Sequence, residues 1–126
     1  VIIIDPRDYF ANKKRFPNDV IISEWPDVAL KNYNFNFSDN IVTLTHDPKI
    51  DDLALKIALN SEVGYIGSLG SRKTHARRID RLKSEGYNLE QISKIHAPIG
   101  LNISSKTPQE IALSIMAEIT QVRRSF

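Results

Sequence analysis

Short apolar runs alternate along the chain with segments of helical periodicity and with polar turn residues. Four runs predict strands, and they lie at 1–4, 20–22, 41–45 and 63–66. Continuous apolar runs without polar alternation are typical of strands covered on both faces, as in a parallel sheet. Because helical segments separate these strands, the pattern favours an α/β fold with a mainly parallel sheet. We expect a single domain over residues 1–126.

Helix boundaries are indicated by capping residues, by proline and by glycine. Thr107, Pro108 and Glu110 form a capping box with proline at the first helical position, which predicts the start of the last helix. Leu53 and Ile57 have the spacing of one helical face, and Asp51 or Asp52 is the expected cap. The predicted helical segments are 9–16, 26–30, a helix that begins near 51, 72–85, 89–95 and 108–122.

Three polar clusters follow predicted strands directly. They are Asp5-Pro6-Arg7, Thr45-His46-Asp47-Pro48 and the segment 67–74. In open α/β sheets, ligands bind beyond the carboxyl ends of the strands. We therefore predict the functional site at this edge of the sheet.

The turn at 64–74 carries glycines in the spacing Gly-x-x-Gly-x-x-Gly and leads into a basic helix. This spacing matches neither a Walker loop nor the dinucleotide-binding fingerprint. Glycines allow backbone N–H groups to approach a ligand, and a helix start offers unpaired donors. Arg72 and Lys73 stand in the first helical turn, where the helix dipole disfavours cations, so an anion there relieves the conflict. The alternative is that solvent screens these charges and the glycines only permit a tight turn.

Histidines are the other candidates for chemistry. His46 and Asp47 are placed to do acid–base work or to contact a ligand, but Asp47 as a cap and His46 bonded to backbone are the structural alternatives. His96 lies among small turn-forming residues and is suited to line a cleft. No His-Glu-x-x-His or similar spacing occurs in the sequence, so we expect no metal site.

Composition narrows the class of protein. The chain has 126 residues, of which 41% are hydrophobic, and it has no cysteine, which excludes disulfide frameworks and thiolate chemistry within these residues. The net charge of +2 is too balanced to indicate nucleic acid or an anionic membrane as partner. No apolar run approaches the roughly 18 residues of a membrane helix, and no signal peptide is evident. We expect a cytoplasmic protein.

Several short motifs occur along the chain in a fixed order, and the combination indicates a protein family more specifically than any single motif does. They are Asp5-Pro6-Arg7, Arg15-Phe16-Pro17, Trp25-Pro26, the segments 44–49, 65–72, 75–78 and 96–101, and the last capping box at 107–112. Together they resemble the Rossmann domain of the XdhC/CoxI family over nearly the whole chain. The resemblance implies a Rossmann-like three-layer sandwich.

The resemblance also implies a function. Proteins of this family are accessory factors that bind the molybdenum cofactor, support its sulfuration and insert it into molybdenum hydroxylases of the xanthine dehydrogenase type. The implied protein is a cofactor chaperone and not an enzyme. Its partners would be the hydroxylase apoenzyme and a cysteine desulfurase, and we expect a homo-oligomer. The cargo would be molybdopterin or its dinucleotide form.

The candidate cofactor-binding residues come from the three clusters and from the segment around His96. The phosphate of molybdopterin suits the glycine turn and its basic residues, and the polar side chains suit the pterin. The candidates are Asp5, Arg7, His46, Asp47, Gly67, Ser68, Gly70, Ser71, Arg72, Lys73 and His96.

The chain begins with a strand pattern at Val1 and without an initiator Met. We expect it to be an N-terminally truncated piece of a longer protein, with the first Rossmann strand and glycine loop upstream. That expectation leaves a rival open, a nicotinamide-dependent oxidoreductase whose dinucleotide loop precedes Val1. A non-catalytic protein-docking domain is the other alternative.

Overall fold

The computed structural model describes residues 1–125. It divides the chain into two units, one at Val1–Asn34 and one from Phe35 onward. Within each unit the strands pair in parallel, and in the second unit helices connect them, so the predicted mixed α/β fold with parallel strands is confirmed. A single domain over the whole chain stays a prediction, and so does the N-terminal truncation.

The first unit contains two parallel strands, β1 at Ile2–Ile4 and β2 at Val20–Ile22, and the one-turn helix α1 at Pro26–Ala29. All three were predicted. The predicted helix at 9–16 is wrong, because this segment forms a series of turns. There the Asn12 side chain donates to the carbonyl of Asp8 and accepts from the N–H of Arg15, and such local bonds compete with helix formation.

The second unit is built on a three-stranded parallel sheet in the order β3-β4-β5. Its strands are β3 at Asn40–Thr43, β4 at Tyr65–Ser68 and β5 at Ile95–His96. Its helices are α2 at Pro48–Leu59, α3 at Arg72–Ser84, α4 at Leu89–Ile92 and α5 at Pro108–Arg124. The capping box that opens α5 is present as predicted.

Four predicted boundaries in this unit need correction. β3 ends at Thr43, two residues earlier than predicted. β4 lies two residues further along the chain than predicted, because the main chain from 65 to 68 pairs with β3. The predicted helix at 89–95 ends at Ile92, since Ile95 joins the sheet beside β4. The helix predicted to begin at Asp51 or Asp52 begins at Pro48, with Asp47 as its cap.

Two apolar clusters hold the second unit together. The larger one packs α2 and α3 against the sheet, and the smaller one packs α5 against β4; their buried members are Leu55, Ala58, Leu59, Ile66, Leu82, Ile92 and Ile95 in the first and Tyr65, Ile99, Ile115 and Ile119 in the second. Among the apolar residues predicted for α2, Leu55 and Leu59 are buried together with Ile50, whereas Leu53 and Ile57 are only partly buried. Among residues 1–125 no helix has the length and apolar character needed to span a bilayer.

Candidate functional site

A cavity of about 240 Å³ lies at the carboxyl edge of β3 and β4, within the second unit. The loop after β3, the start of α2 and the first turns of α3 supply its walls. The polar side chains that line it are those of His46, Asp51, Thr74, Arg77, Arg78 and Arg81. Its position agrees with the general rule for ligand sites in α/β sheets.

The N-terminus of α3 opens beside this cavity. Ser71 is the helix cap, and its hydroxyl accepts a hydrogen bond from the N–H of Thr74 at 3.1 Å. Gly70 precedes it with φ of +143°, a conformation that favours glycine. The first turn holds no acidic residue, and the exposed Arg72 and Lys73 stand there instead. The helix end thus presents unpaired N–H donors together with cationic side chains.

Arg78 is the most unusual residue of the site, because only 3% of it is exposed. Its Nη1 contacts Nδ1 of His75 at 3.1 Å, and its Nη2 donates to the carbonyl of Leu69 at 3.4 Å. Within the described part of the chain, its Nε is buried and has no hydrogen-bond partner. Burial lowers the pKa of Arg78, although the charges of Asp52 and Asp51 oppose that shift.

The nearby carboxylates are occupied by other partners. Asp52 pairs with Arg81 through two contacts of 2.7 and 3.2 Å, and that bond raises the pKa of Arg81. Asp51 accepts hydrogen bonds from the hydroxyl of Thr45 at 2.6 Å and from its N–H at 3.3 Å. Burial raises the pKa of Asp51, against the effect of these bonds. None of the ion pairs formed among residues 1–125 involves Arg78.

His75 is fixed by the same guanidinium. Since Arg78 has only donors, Nδ1 of His75 must accept, and the proton of the neutral ring then lies on Nε2. Burial lowers the pKa of His75, and the charge of Arg78 lowers it further. The two side chains therefore carry one positive charge, which is on Arg78, and the bond to His75 holds the guanidinium in place.

The structure brings His46 to this cavity and gives Asp47 a structural task. His46 is exposed and adopts φ of +63°, an uncommon conformation for a residue other than glycine. Asp47 accepts from the N–H of Lys49 at 3.0 Å and caps α2. Asp47 thus caps α2, and the ligand-binding roles of His46 and Asp47 stay predictions.

Gly67 and Ser68 lie inside β4. A side chain at Gly67 would come within 2.5 Å of Ile99 and 2.7 Å of the Tyr65 hydroxyl, so glycine permits close packing there. Ser68 is fully buried, and its hydroxyl lies 2.6 Å from that of Thr43 in the neighbouring strand. Both residues pack within the sheet, and their contact with a ligand stays a prediction.

His96 is not among the residues that line the cavity beside α3. It contributes to a second cavity, of about 280 Å³, together with Val63, Gly64 and Lys94. Its ring stacks on Tyr65, with centroids 4.8 Å apart. The Tyr65 hydroxyl donates to Glu118 at 2.6 Å, and burial, together with that bond, raises the pKa of Tyr65.

Asp5 and Arg7 belong to the first unit, where they bind each other. The Asp5 carboxylate accepts from Nε of Arg7 at 2.9 Å and from Nη2 at 2.8 Å. Burial raises the pKa of Asp5, but the hydrogen bonds and charge of Arg7 outweigh it, and the net shift is downward. Their role at the cofactor stays a prediction.

Polar residues that line the cavity but are not among the predicted cofactor-binding residues are Asp51, Thr74, Arg77, Arg78 and Arg81. Arg77 and Arg81 share a helical face with Lys73, a spacing that is also typical of a solvated face. A signal for Arg78 was present, because it lies four residues before the apolar Leu82 and so shares the inner face of α3. No group of three or more His, Asp or Glu side chains able to hold a metal ion occurs in residues 1–125.

Comparison with known proteins agrees with the fold. The family model of the XdhC Rossmann domain matches residues 1–119. The crystal structure of a xanthine dehydrogenase from Bacillus halodurans superimposes with a TM-score of 0.78 at 30% identity, over 98% of this chain and 35% of that one.

Two curated relatives carry names that bear on function. A probable xanthine dehydrogenase subunit from Bacillus subtilis is 34% identical over 98% of this chain and 36% of its own length. The molybdenum cofactor insertion chaperone PaoD from Escherichia coli is 32% identical over 66% of this chain and 26% of its own length. The chain thus spans about a third or less of these relatives. With the family model covering residues 1–119, the chain belongs to the XdhC family and forms its Rossmann domain.

Proposed function

We propose that this chain is the Rossmann part of a maturation factor that binds the molybdenum cofactor and inserts it into a hydroxylase of the xanthine dehydrogenase type. Membership of the XdhC family and the likeness to a molybdenum cofactor insertion chaperone support this proposal. The molybdenum cofactor is here the cargo. The role is delivery, without turnover of a substrate by this chain.

One observation carries the assignment of the site. The α3 N-terminus, which has no acidic residue in its first turn, opens beside a cavity lined by three arginines. Backbone N–H groups at a helix start and guanidinium groups are the donors that bind phosphate oxygens in proteins. Molybdopterin ends in a phosphate, so this edge fits its anionic end.

Different residues in and beside the cavity would bind different parts of the cofactor. Arg72 and Lys73 are not among the residues that line the cavity, but they stand in the first turn of α3 beside Thr74, which does line it, and from there they would attract the phosphate. His46 lines the cavity from the loop after β3 and offers a ring nitrogen to the pterin. Support of cofactor sulfuration with a cysteine desulfurase, self-association of the protein and a cytoplasmic location are further parts of the proposal.

Cofactor affinity tests the proposal. The double variant Arg72→Ala with Lys73→Ala should bind molybdopterin more weakly by about 1.5 kcal/mol or more, the range of charge-assisted hydrogen bonds. That is roughly a tenfold change in Kd. The matched control is Lys83→Ala with Arg124→Ala, which removes two cations from exposed positions near helix C-termini.

Equal affinity of the wild type and the double variant would contradict the assignment of α3. Turnover of a reduced nicotinamide by a protein that retains no molybdopterin would contradict the chaperone role and favour an oxidoreductase. Loss of binding to the hydroxylase without loss of cofactor affinity would favour a docking domain.

A further inference from the structure

We propose that the cavity beside α3 is a binding site for a single phosphate monoester, with Arg78 as the residue that anchors it. This inference deepens the proposed function and rests on it for the identity of the molecule that bears the phosphate. Three observations support the site itself: Arg78 is buried, its Nε has no hydrogen-bond partner among residues 1–125, and the cavity is small.

The guanidinium of Arg78 is held in place yet incompletely bonded. His75 and the carbonyl of Leu69 engage its two Nη atoms, whereas its Nε has no partner among residues 1–125. Asp51 and Asp52 act on Arg78 only through their charge and form no ion pair with it, and a buried cation without a directly bonded carboxylate is costly for the folded protein. A phosphate oxygen that accepts from Nε would complete the hydrogen bonds of the guanidinium and balance its charge.

The charges around the cavity fit a dianion. Arg81 is neutralised by Asp52, which leaves Arg77 and Arg78 against the single carboxyl group of Asp51. Asp51 turns its Oδ1 to Thr45. Two guanidinium groups less one carboxylate leave a net charge of +1 at the cavity, and Arg72 and Lys73 in the first turn of α3 add two further cations. Together they are sufficient to balance a phosphate monoester, which carries a charge of about −1.5 to −2 at pH 7.

The size of the cavity selects one anionic group. Its volume of about 240 Å³ is below the range of about 300–1,000 Å³ for pockets that enclose a whole drug-sized ligand. The cavity therefore has room for the charged end of a molecule, and the rest of that molecule would lie outside it. A terminal monoester, as in molybdopterin, fits better than the pyrophosphate of the dinucleotide form, whose charged group is substituted on both sides.

Inorganic phosphate is the probe for the site. We expect it to raise the Tm of the chain in a concentration-dependent manner beyond the effect of chloride at equal ionic strength, because ligands that bind only the folded state stabilise it. Arg78→Met should weaken phosphate binding at least tenfold. Lys83→Ala, which removes one exposed cation from the far end of the same helix, should retain wild-type affinity.

A second variant covers the case in which Arg78→Met fails to fold. Thr74 is exposed and lines the cavity, so Thr74→Glu places a carboxylate at the mouth of the site without removing a buried group. It should also weaken phosphate binding at least tenfold. Equal stabilisation by phosphate and chloride, or unchanged phosphate affinity in Thr74→Glu, would overturn the proposal.

Cofactor binding separates this inference from the proposed function. Phosphate should compete with molybdopterin for the wild type, and molybdopterin should bind at least tenfold more tightly than its dinucleotide form. Phosphate binding that both variants lose, in a chain that retains no molybdopterin, would support the site and contradict the chaperone role. Molybdopterin binding that Thr74→Glu leaves unchanged would overturn the phosphate site and leave the chaperone role standing.

Discussion

The exposed position of Thr74 allows the electrostatics of the α3 N-terminus to be measured as stability. Thr74 is the third residue of the helix, and Ser71 is its cap, so Thr74→Glu completes a Ser-x-x-Glu capping box. Thr74→Gln completes the same box without charge. Both variants lose the contact of 3.0 Å between the hydroxyls of Ser71 and Thr74, so their difference isolates the carboxylate.

The magnitude follows from two contributions. A carboxylate in the first turn of a helix contributes about 0.3–1 kcal/mol through the dipole. Glu at 74 also stands four residues before Arg78, an ordering that adds about 0.2–0.5 kcal/mol. We therefore expect Thr74→Glu to exceed Thr74→Gln in unfolding free energy by about 1 kcal/mol at low salt. For a chain of this length that corresponds to roughly 4 °C in Tm.

Thermal and urea denaturation at pH 7 measure this difference. In 1 M salt the Debye length falls to about 3 Å, and the advantage of Glu over Gln should fall by more than half. A Glu variant no more stable than the Gln variant at low salt, or a difference independent of salt, would refute the positive potential that the structure places at α3.

Three further predictions concern other parts of the chain. Leu55→Ala removes a fully buried side chain and should cost about 2.7–5 kcal/mol in urea denaturation, whereas the exposed Leu113→Ala should stay within about 0.5 kcal/mol; equal costs would contradict the described core. Tyr65→Phe deletes the bond to Glu118 and should cost about 1.5–3 kcal/mol; a neutral outcome would refute its energetic role. Asp5→Asn should destabilise at pH 7, because the lowered pKa of Asp5 stabilises the fold above its unfolded pKa of about 3.9. That contribution is lost as pH falls through the lower folded value, so a deficit that persists at about pH 2 in chemical denaturation would contradict the ion pair.

Local signals in the sequence predicted most elements. The β-branched run that forms β1 and the capping box at Thr107 each depend on neighbours in sequence, and the structure contains both. The sequence also contained the true cap of α2, because Asp47 directly precedes a proline at the first helical position. Asp51 is also a common capping residue type, but no proline follows it, and the structure buries it inside α2.

Boundaries that depend on distant residues were not predictable in this way. The shift of β4 to Ser68 follows from pairing with β3 and from the close approach of Ile99 to Gly67. In the candidate site, Arg78 is one of several basic residues on α3, and its burial follows from the packing of Leu82 and from the wall that α2 provides. A basic helix has the same sequence pattern whether one of its arginines faces solvent or a cavity.

Amide chemical shifts recorded while molybdopterin is titrated into the isotopically labelled chain test the central claim most directly. The account predicts that the largest changes fall on Gly70, Ser71 and Arg72, with the side-chain Nε–H of Arg78 shifting alongside them. Saturable changes confined to the surroundings of His96, with the α3 N-terminus unaffected, would contradict it.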